Sequence, residues 1–432
     1  MGAKCVSITP EKGQAMYERN LTQWLLRGAV ALMASACAFG VDPSARAGDT
    51  IRYAFCNATS CADGASSSAV LFKTATKLYG TTLAGGQYGS GTVFSVNPNG
   101  TGYTVLHSFG SITNDGASAV SGVVKIGNRL YGAADTGGQY GEGILYSVKT
   151  NGTGYTVLHT FDSNANDGAF PYGGLLDVGG TLYGTTFGGG ASTPFCSGCG
   201  TVFEIQPSGA GYQVLYSFCS LANCTDGSNP FAPVLNVNGT LYGTTGNGGT
   251  SGLGTVFSLV PCGSPPCAEQ ALYSFAGSPD GQAPLAGLVY KPVGNVGYLY
   301  GTTSGGGAGL DGTVFAVAVC GTPPCAETWR YSFVGGPNDG WSPDGGLLAW
   351  GSYLYGATTI GGTSNQGVVF KIRANELSGE TLVWSFAGSP DGAVPEAGLI
   401  RIGNALYGTT ANGGTNNAIC GPNGCGTIFS IP

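Results

Sequence analysis

One tripeptide limits what this chain can fold into. Leu-Tyr-Gly, usually extended to Leu-Tyr-Gly-Thr-Thr, recurs with its tyrosine at Tyr79, Tyr131, Tyr183, Tyr242, Tyr300, Tyr355 and Tyr407, at intervals of 52, 52, 59, 58, 55 and 52 residues. A period of this length marks a repeat architecture, in which a small supersecondary unit stacks on copies of itself. Each unit reads as four short strands. In one of them these are residues 174–178, 181–186, 200–205 and 212–218, separated by Gly-rich turns and loops. Four antiparallel strands in such a length make one propeller blade.

The chain ends specify closure. Ile51-Arg52-Tyr53-Ala54-Phe55 matches the fourth strand of the other units, such as Trp329-Arg330-Tyr331-Ser332-Phe333, and Gly426-Thr427-Ile428-Phe429-Ser430-Ile431 matches a third strand. The last unit therefore lacks a fourth strand and the N-terminal segment supplies a spare one. Pairing them removes the two open strand edges an unclosed array would carry. The expected fold is all-β: a seven-bladed β-propeller with four antiparallel strands per blade, closed by the N-terminal strand completing the last blade.

Three aromatic rows accompany the repeat: the Leu-Tyr-Gly tyrosines; Phe94, Tyr146, Phe203, Phe257, Phe315, Phe370 and Phe429 on third strands; and Phe55, Phe109, Phe161, Phe218, Phe275, Phe333 and Phe386 on fourth strands. Neighbouring residues of a strand face opposite ways, so Leu and Tyr of the tripeptide are expected to serve the two interfaces flanking each blade. The rows read as blade-to-blade core. Composition agrees: 79 of 432 residues are glycine and only 9% are charged, a profile of short strands and tight turns.

Residues 1–47 read as an N-terminal extension and signal peptide, and 48–432 as the propeller. Arg19 and Arg27 precede an apolar run over 28–40 that is too short to span a bilayer, and Ala45-Arg46-Ala47 offers a small-x-small cleavage site. Met16 is an alternative start. Ala34-Ser35-Ala36-Cys37 is a loose lipobox, so lipidation at Cys37 is a second reading. The product is expected to be exported, periplasmic or extracellular, and monomeric, with no transmembrane span. Beyond residue 47 the chain has 11 Lys/Arg against 20 Asp/Glu, a net charge of −9. Such a surface repels a phosphate backbone, which argues against nucleic acid as partner.

Leu-Tyr-Gly-Thr-Thr, the Gly-Gly pairs, Gly-Thr-Val-Phe and a closing Leu-(His/Tyr)-Ser-Phe followed by Asp-Gly resemble the GloVer-type tandem repeats of exported bacterial proteins, over almost all of the mature chain. The resemblance implies export, in some members with C-terminal surface anchors, and implies no activity; this sequence stops at Pro432, directly after a strand. The pattern is also distantly kelch-like, although its Gly-Gly pairs fall in loops and the kelch Tyr/Trp pattern is missing.

Beyond Cys5 and Cys37, twelve cysteines form six local pairs: Cys56/Cys61, Cys196/Cys199, Cys219/Cys224, Cys262/Cys267, Cys320/Cys325 and Cys420/Cys425. Units lacking one partner lack the other, as bonded pairs should, and an oxidising compartment favours disulfides. A zinc site needs four ligands and each pair offers two, so no metal or other cofactor is expected. His107 and His159 stand where other units carry Tyr216 or Tyr273 and read as packed aromatics.

The second-to-third-strand loops and the blade-to-blade connections share one face, which also receives the Asp-Gly aspartates Asp63, Asp115, Asp167, Asp226, Asp280, Asp339 and Asp391. Each loop offers one such carboxylate, whereas calcium takes six to eight oxygens. Turn chemistry, with Asp accepting backbone N–H bonds, is the expected role; calcium is the alternative. Function breaks a repeat's symmetry, so the candidate ligand-binding residues are those that do not recur in every unit: Tyr88 and Tyr140, in the Gly-Gly-Gln-Tyr-Gly loops of two adjacent blades only, and Glu142, Asp311, Trp341 and Asp344. Nothing resembles a nucleophile elbow or a phosphate-binding loop, and no catalytic residue is assigned. The expected function is a binding or interaction scaffold with carbohydrate or protein partners at the cell envelope. A carbohydrate-active enzyme using loop carboxylates is the alternative.

Overall fold

In the computed structural model, which describes residues 50–194, 196, 198–416 and 419–432, the Leu-Tyr-Gly-Thr-Thr segments are the second strands of seven four-stranded antiparallel sheets. The expected signal peptide, its cleavage site, Cys5 and Cys37 lie outside the described residues. Gly48–Pro432 forms one compact unit. Numbering blades along the chain, blade 3 consists of Leu176–Val178, Thr181–Thr186, Thr201–Ile205 and Gln213–Ser217.

The tripeptide's glycine is a matter of space. Gly184 lies opposite Phe203 in the register, and a Cβ there would come within 2.4 Å of the Phe203 ring. The same holds for Gly80 under Phe94, Gly132 under Tyr146, Gly243 under Phe257, Gly301 under Phe315, Gly356 under Phe370 and Gly408 under Phe429. Each third-strand aromatic lies flat across its own blade and projects into the interface behind it.

There it meets the previous blade. Phe109 of blade 1 packs edge-on against Tyr146 of blade 2 with centroids 5.2 Å apart, and Phe218 of blade 3 against Phe257 of blade 4 at 5.0 Å. Seven such pairs follow one another around the ring, ending with Phe386–Phe429 at 5.0 Å and Phe55–Phe94 at 5.4 Å. Edge-to-face pairs contribute about 0.5–1.5 kcal/mol each beyond burial. Leu78 and Tyr79 divide as their alternation requires: Leu78 packs with Tyr407 in the interface between blades 7 and 1, and Tyr79 with Leu130 in that between blades 1 and 2.

Blade 7 is completed from the N-terminal side. Its strands are Ile400–Ile402, Ala405–Thr410 and Thr427–Ile431, and Thr50–Ala54 pairs with the last of these. A one-residue bulge puts Arg52 where Leu215 stands in blade 3, so the swapped segment reproduces even the irregularity of a fourth strand. Hydroxyl groups add to the interfaces. The first threonine after Leu-Tyr-Gly donates across to the next blade, as from Thr81 to the Ser121 carbonyl and from Thr185 to the Ala232 carbonyl, both at 2.8 Å. Ala133 and Ala357 replace it in blades 2 and 6. No described helix is long and apolar enough to cross a membrane.

Candidate functional site

First strands are innermost, and those of neighbouring blades touch. Just ahead of them, residues 70, 122, 174, 233, 287, 346 and 398, five of them glycine, line the axis. The backbone of Gly122 abuts Val70, Gly287 abuts Pro233, Gly346 abuts Gly287, and Gly398 abuts both Gly346 and Val70. Two residues earlier in each blade, across a bend, stand Ser68, Val120, Tyr172, Phe231, Leu285, Asp344 and Glu396. These residues are half-buried, and neighbours among them meet: Ser68 meets Glu396, Tyr172 meets Phe231, and Phe231 and Leu285 both lie against Gly246; together they make up the mouth, on the face carrying the long loops.

The mouth is asymmetric, and its asymmetry is ordered. Blades 6, 7 and 1 contribute Asp344, Glu396 and Ser68; blades 2 to 5 contribute Val120, Tyr172, Phe231 and Leu285. On the polar arc, Ser68 Oγ donates to Glu396 Oε2 at 2.5 Å, and Thr359 Oγ1 donates to Asp344 Oδ2 at 3.4 Å. Burial, with Asp344 nearby adding to it, pushes the Glu396 carboxyl up to about 7 against the opposing Ser68 bond. On the apolar arc, Tyr172 stacks on Phe231 at 5.5 Å and Phe187 packs against both, at 5.6 and 4.6 Å. Directly after the second strand of blade 2, Arg129–Ala134, Asp135 is 6% exposed, its Oδ1 has no hydrogen-bond partner, and burial pushes it up to about 8.

Of the six residues singled out from sequence, only Asp344 lies in this mouth. Trp341 and Asp311 lie outward of it on blades 5 and 6, with Trp341 43% exposed and the Asp311 carbonyl accepting from Ser342 N at 2.9 Å. Tyr88 and Tyr140, each 50% exposed, are on blades 1 and 2. Glu142 engages both oxygens with Ser163, from its N–H and its hydroxyl at 2.6 Å each. Asp311 and Asp344 are linked through Ser342, next to Trp341, whereas Tyr88, Tyr140 and Glu142 lie on blades 1 and 2. The other mouth residues escaped notice because each is ordinary alone; aligning the position two before the residue that opens each blade's axial lining would have found them.

The seven Asp-Gly aspartates all accept hydrogen bonds from backbone N–H groups of their own connections. Asp226, for example, accepts from Ser220 N at 2.8 Å and Leu221 N at 3.3 Å, and from the Tyr216 hydroxyl at 2.8 Å. His107 and His159 hold the place of Tyr216. They contact Asp115 at 3.1 Å and Asp167 at 2.8 Å, and stack on Tyr155 and Tyr212 of the following blades at 3.4 and 3.7 Å.

That stacking tyrosine reveals a second asymmetry. It is Tyr103, Tyr155 and Tyr212 in blades 1 to 3, but Glu269, Glu327 and Glu380 in blades 4 to 6. Each glutamate faces the aspartate of the connection behind it and keeps one buried oxygen without a hydrogen-bond partner. Burial, reinforced by Asp226, pushes Glu269 up to about 8; burial likewise lifts Glu327 and Glu380 to about 7. Arg330 answers this only in blade 5, reaching Asp280 at 3.2 Å and Glu327 at 2.9 Å.

All six cysteine pairs are disulfides: Cys56–Cys61, Cys196–Cys199, Cys219–Cys224, Cys262–Cys267, Cys320–Cys325 and Cys420–Cys425.

Seven quasi-equivalent blades around an asymmetric axial mouth define a tandem-repeat β-propeller. More particularly, the chain belongs to the Gloeobacter/Verrucomicrobia repeat family, whose model matches residues 34–224 and 195–429. No curated protein matches it. Among solved structures it is similar to a protein assigned as a 6-phosphogluconolactonase from Bacteroides uniformis, at 14% identity and TM-score 0.47, covering 82% of this chain and 98% of that one. It is also similar to an oligogalacturonate lyase in complex with manganese, at 10% identity and TM-score 0.46, covering 82% and 85%. Neither likeness bears on the chemistry of this chain.

Proposed function

We propose that this chain is an exported carbohydrate-binding propeller that takes its ligand at the axial mouth. The observation that carries this reading is the division of the mouth into one contiguous apolar arc and one contiguous polar arc. A pyranose has the matching division. Its C–H face lies against an aromatic ring such as Phe231, while its hydroxyls donate to carboxyl oxygens such as those of Asp344 and Glu396. Binding sites of this kind are largely apolar with a few placed polar groups. The raised Glu396 favours a neutral polyhydroxyl ligand over a cation, which would hold that carboxyl ionised. Six disulfides support residence in an oxidising compartment. A glycan array tests the reading: wild-type protein is expected to give hits that Phe231→Ala and Glu396→Ala each abolish. No hit, or hits indifferent to both substitutions, overturns it.

A second reading rests on the same pair. A carboxyl raised to about 7 beside a second carboxylate is the acid partnership of a glycoside hydrolase. Release of reducing ends from an array hit, lost in Glu396→Gln with binding retained, would select this reading.

A further inference from the structure

The local cysteine pairs are not independent of one another. In blades 3 and 7, and in no other, the second-to-third-strand loop carries a pair (Cys196/Cys199; Cys420/Cys425). Only after these two blades does the outgoing connection carry one as well (Cys219/Cys224; Cys56/Cys61). Two pairs that merely staple their own loops have no reason to choose the same blades.

The fold supplies the reason. The residue before each third strand's glycine faces the outgoing connection: Glu142 reaches Ser163 there, and Leu253 lies against Gly277. Cys199 and Cys425 occupy this position, so each pair in the loop meets the pair in the connection. At the ring closure all four sulfurs, of Cys56, Cys61, Cys420 and Cys425, lie within 4.8 Å of one another; in blade 3 those of Cys196, Cys199 and Cys219 do so. A tetrahedral zinc ion, with bonds of about 2.3 Å, holds its sulfurs roughly 3.8 Å apart. The spacings Cys-x4-Cys also suit a structural zinc site. A cleft of about 440 Å³, lined by Cys61, Cys420 and Asn423 among others, opens onto the closure cluster.

We propose that the reduced chain binds a soft divalent cation of the zinc class at Cys56, Cys61, Cys420 and Cys425, and that this four-thiolate site clasps the N-terminal strand to blade 7. The oxidised protein holds the same sulfurs as two disulfides. A dithiol reductant delivers two electrons and two protons to each disulfide; the cation then binds four thiolates, releasing up to four protons. Reoxidation by a disulfide oxidant, which takes up two electrons for each pair and is itself reduced to the dithiol, restores the two disulfides and releases the cation. The site thus offers the newly completed, still reduced chain a clasp before its disulfides form.

The test uses the mature protein reduced with a dithiol, loaded anaerobically with Zn2+ or Co2+, desalted, and analysed for bound metal and for thiolate–Co2+ absorption. Reduced wild-type protein is expected to retain metal, and Cys420→Ser to retain one ion fewer, whereas Cys262→Ser retains as much as wild type. Zn2+ should raise the unfolding midpoint of reduced wild type but leave that of Cys420→Ser less affected. Equal metal in wild type and Cys420→Ser overturns the proposal, as does an equal loss in Cys262→Ser. Equal binding by oxidised wild type, which needs no folding of a variant, also overturns it.

Discussion

The ring of Phe257 lies across Gly243, so close that a Cβ on Gly243 would sit 2.5 Å from the Phe257 Cζ. This contact repeats in every blade and joins a blade's internal register to the interface behind it, because the same ring meets Phe218 of the preceding blade. Gly243→Ala is expected to destabilise the protein by about 1–3 kcal/mol, the usual cost of overpacking a filled core. In chemical denaturation, Gly243→Ala combined with Phe257→Leu should lose less than the sum of the two single substitutions.

Tyr146 is the only tyrosine in a row otherwise made of phenylalanine, and its buried hydroxyl has no hydrogen-bond partner. Removing an unsatisfied buried group recovers its desolvation cost of about 1–3 kcal/mol. Tyr146→Phe is therefore expected to raise the thermal midpoint; an unchanged or lower midpoint would show that the hydroxyl is satisfied.

Glu269, Glu327 and Glu380 are held above their ordinary range, at about 8, 7 and 7, by burial first; the charges of Asp226 and Asp339 add to this at Glu269 and Glu380, whereas Arg330 opposes it at Glu327. A carboxyl raised in the folded state binds its proton more tightly there than in the unfolded chain. Its contribution is complete below pH about 4.5 and is lost as pH rises through 7 to 8. Stability should thus decline between pH 5 and pH 9. Glu269→Gln, which cannot ionise, should flatten part of that decline, and Glu269→Tyr, which restores the ring found in blades 1 to 3, should raise the midpoint at pH 8. Guanidinium titrations across this range give the profile.

Without Thr50–Ala54, the strand Thr427–Ile431 presents an unpaired edge, and the Phe55–Phe94 contact is lost. A chain starting at residue 57 is expected to self-associate through that edge, read by light scattering. A synthetic peptide of residues 48–56, added during refolding, should restore monomers.

The repeated features were legible in the sequence because repetition exposes them: blade number, aromatic rows and the spare strand all follow from aligning the units. The mouth was not. Val120, Phe231 and Glu396 share a position but no chemistry, and nothing marks them until the fold brings the equivalent positions of neighbouring blades together. Among the candidates chosen for not recurring in every unit, Asp344 lies there and Glu142 turned out to tie its own loop to Ser163. The cysteines were legible as pairs, yet the meeting of Cys56 with Cys425 exists only in the closed ring.

That closure also sets an order in time. Thr50–Ala54 emerges before every other strand of the propeller from any machinery that makes or moves this chain from its N-terminus, and its partner Thr427–Ile431 emerges after all of them. Intermediate blades can form as they appear, from local contacts, but the first strand must wait, since pairings distant in sequence form late. Every unfinished copy therefore displays a solitary strand ready to pair, which distinguishes it from a finished one and makes it a natural object for chaperones and proteases.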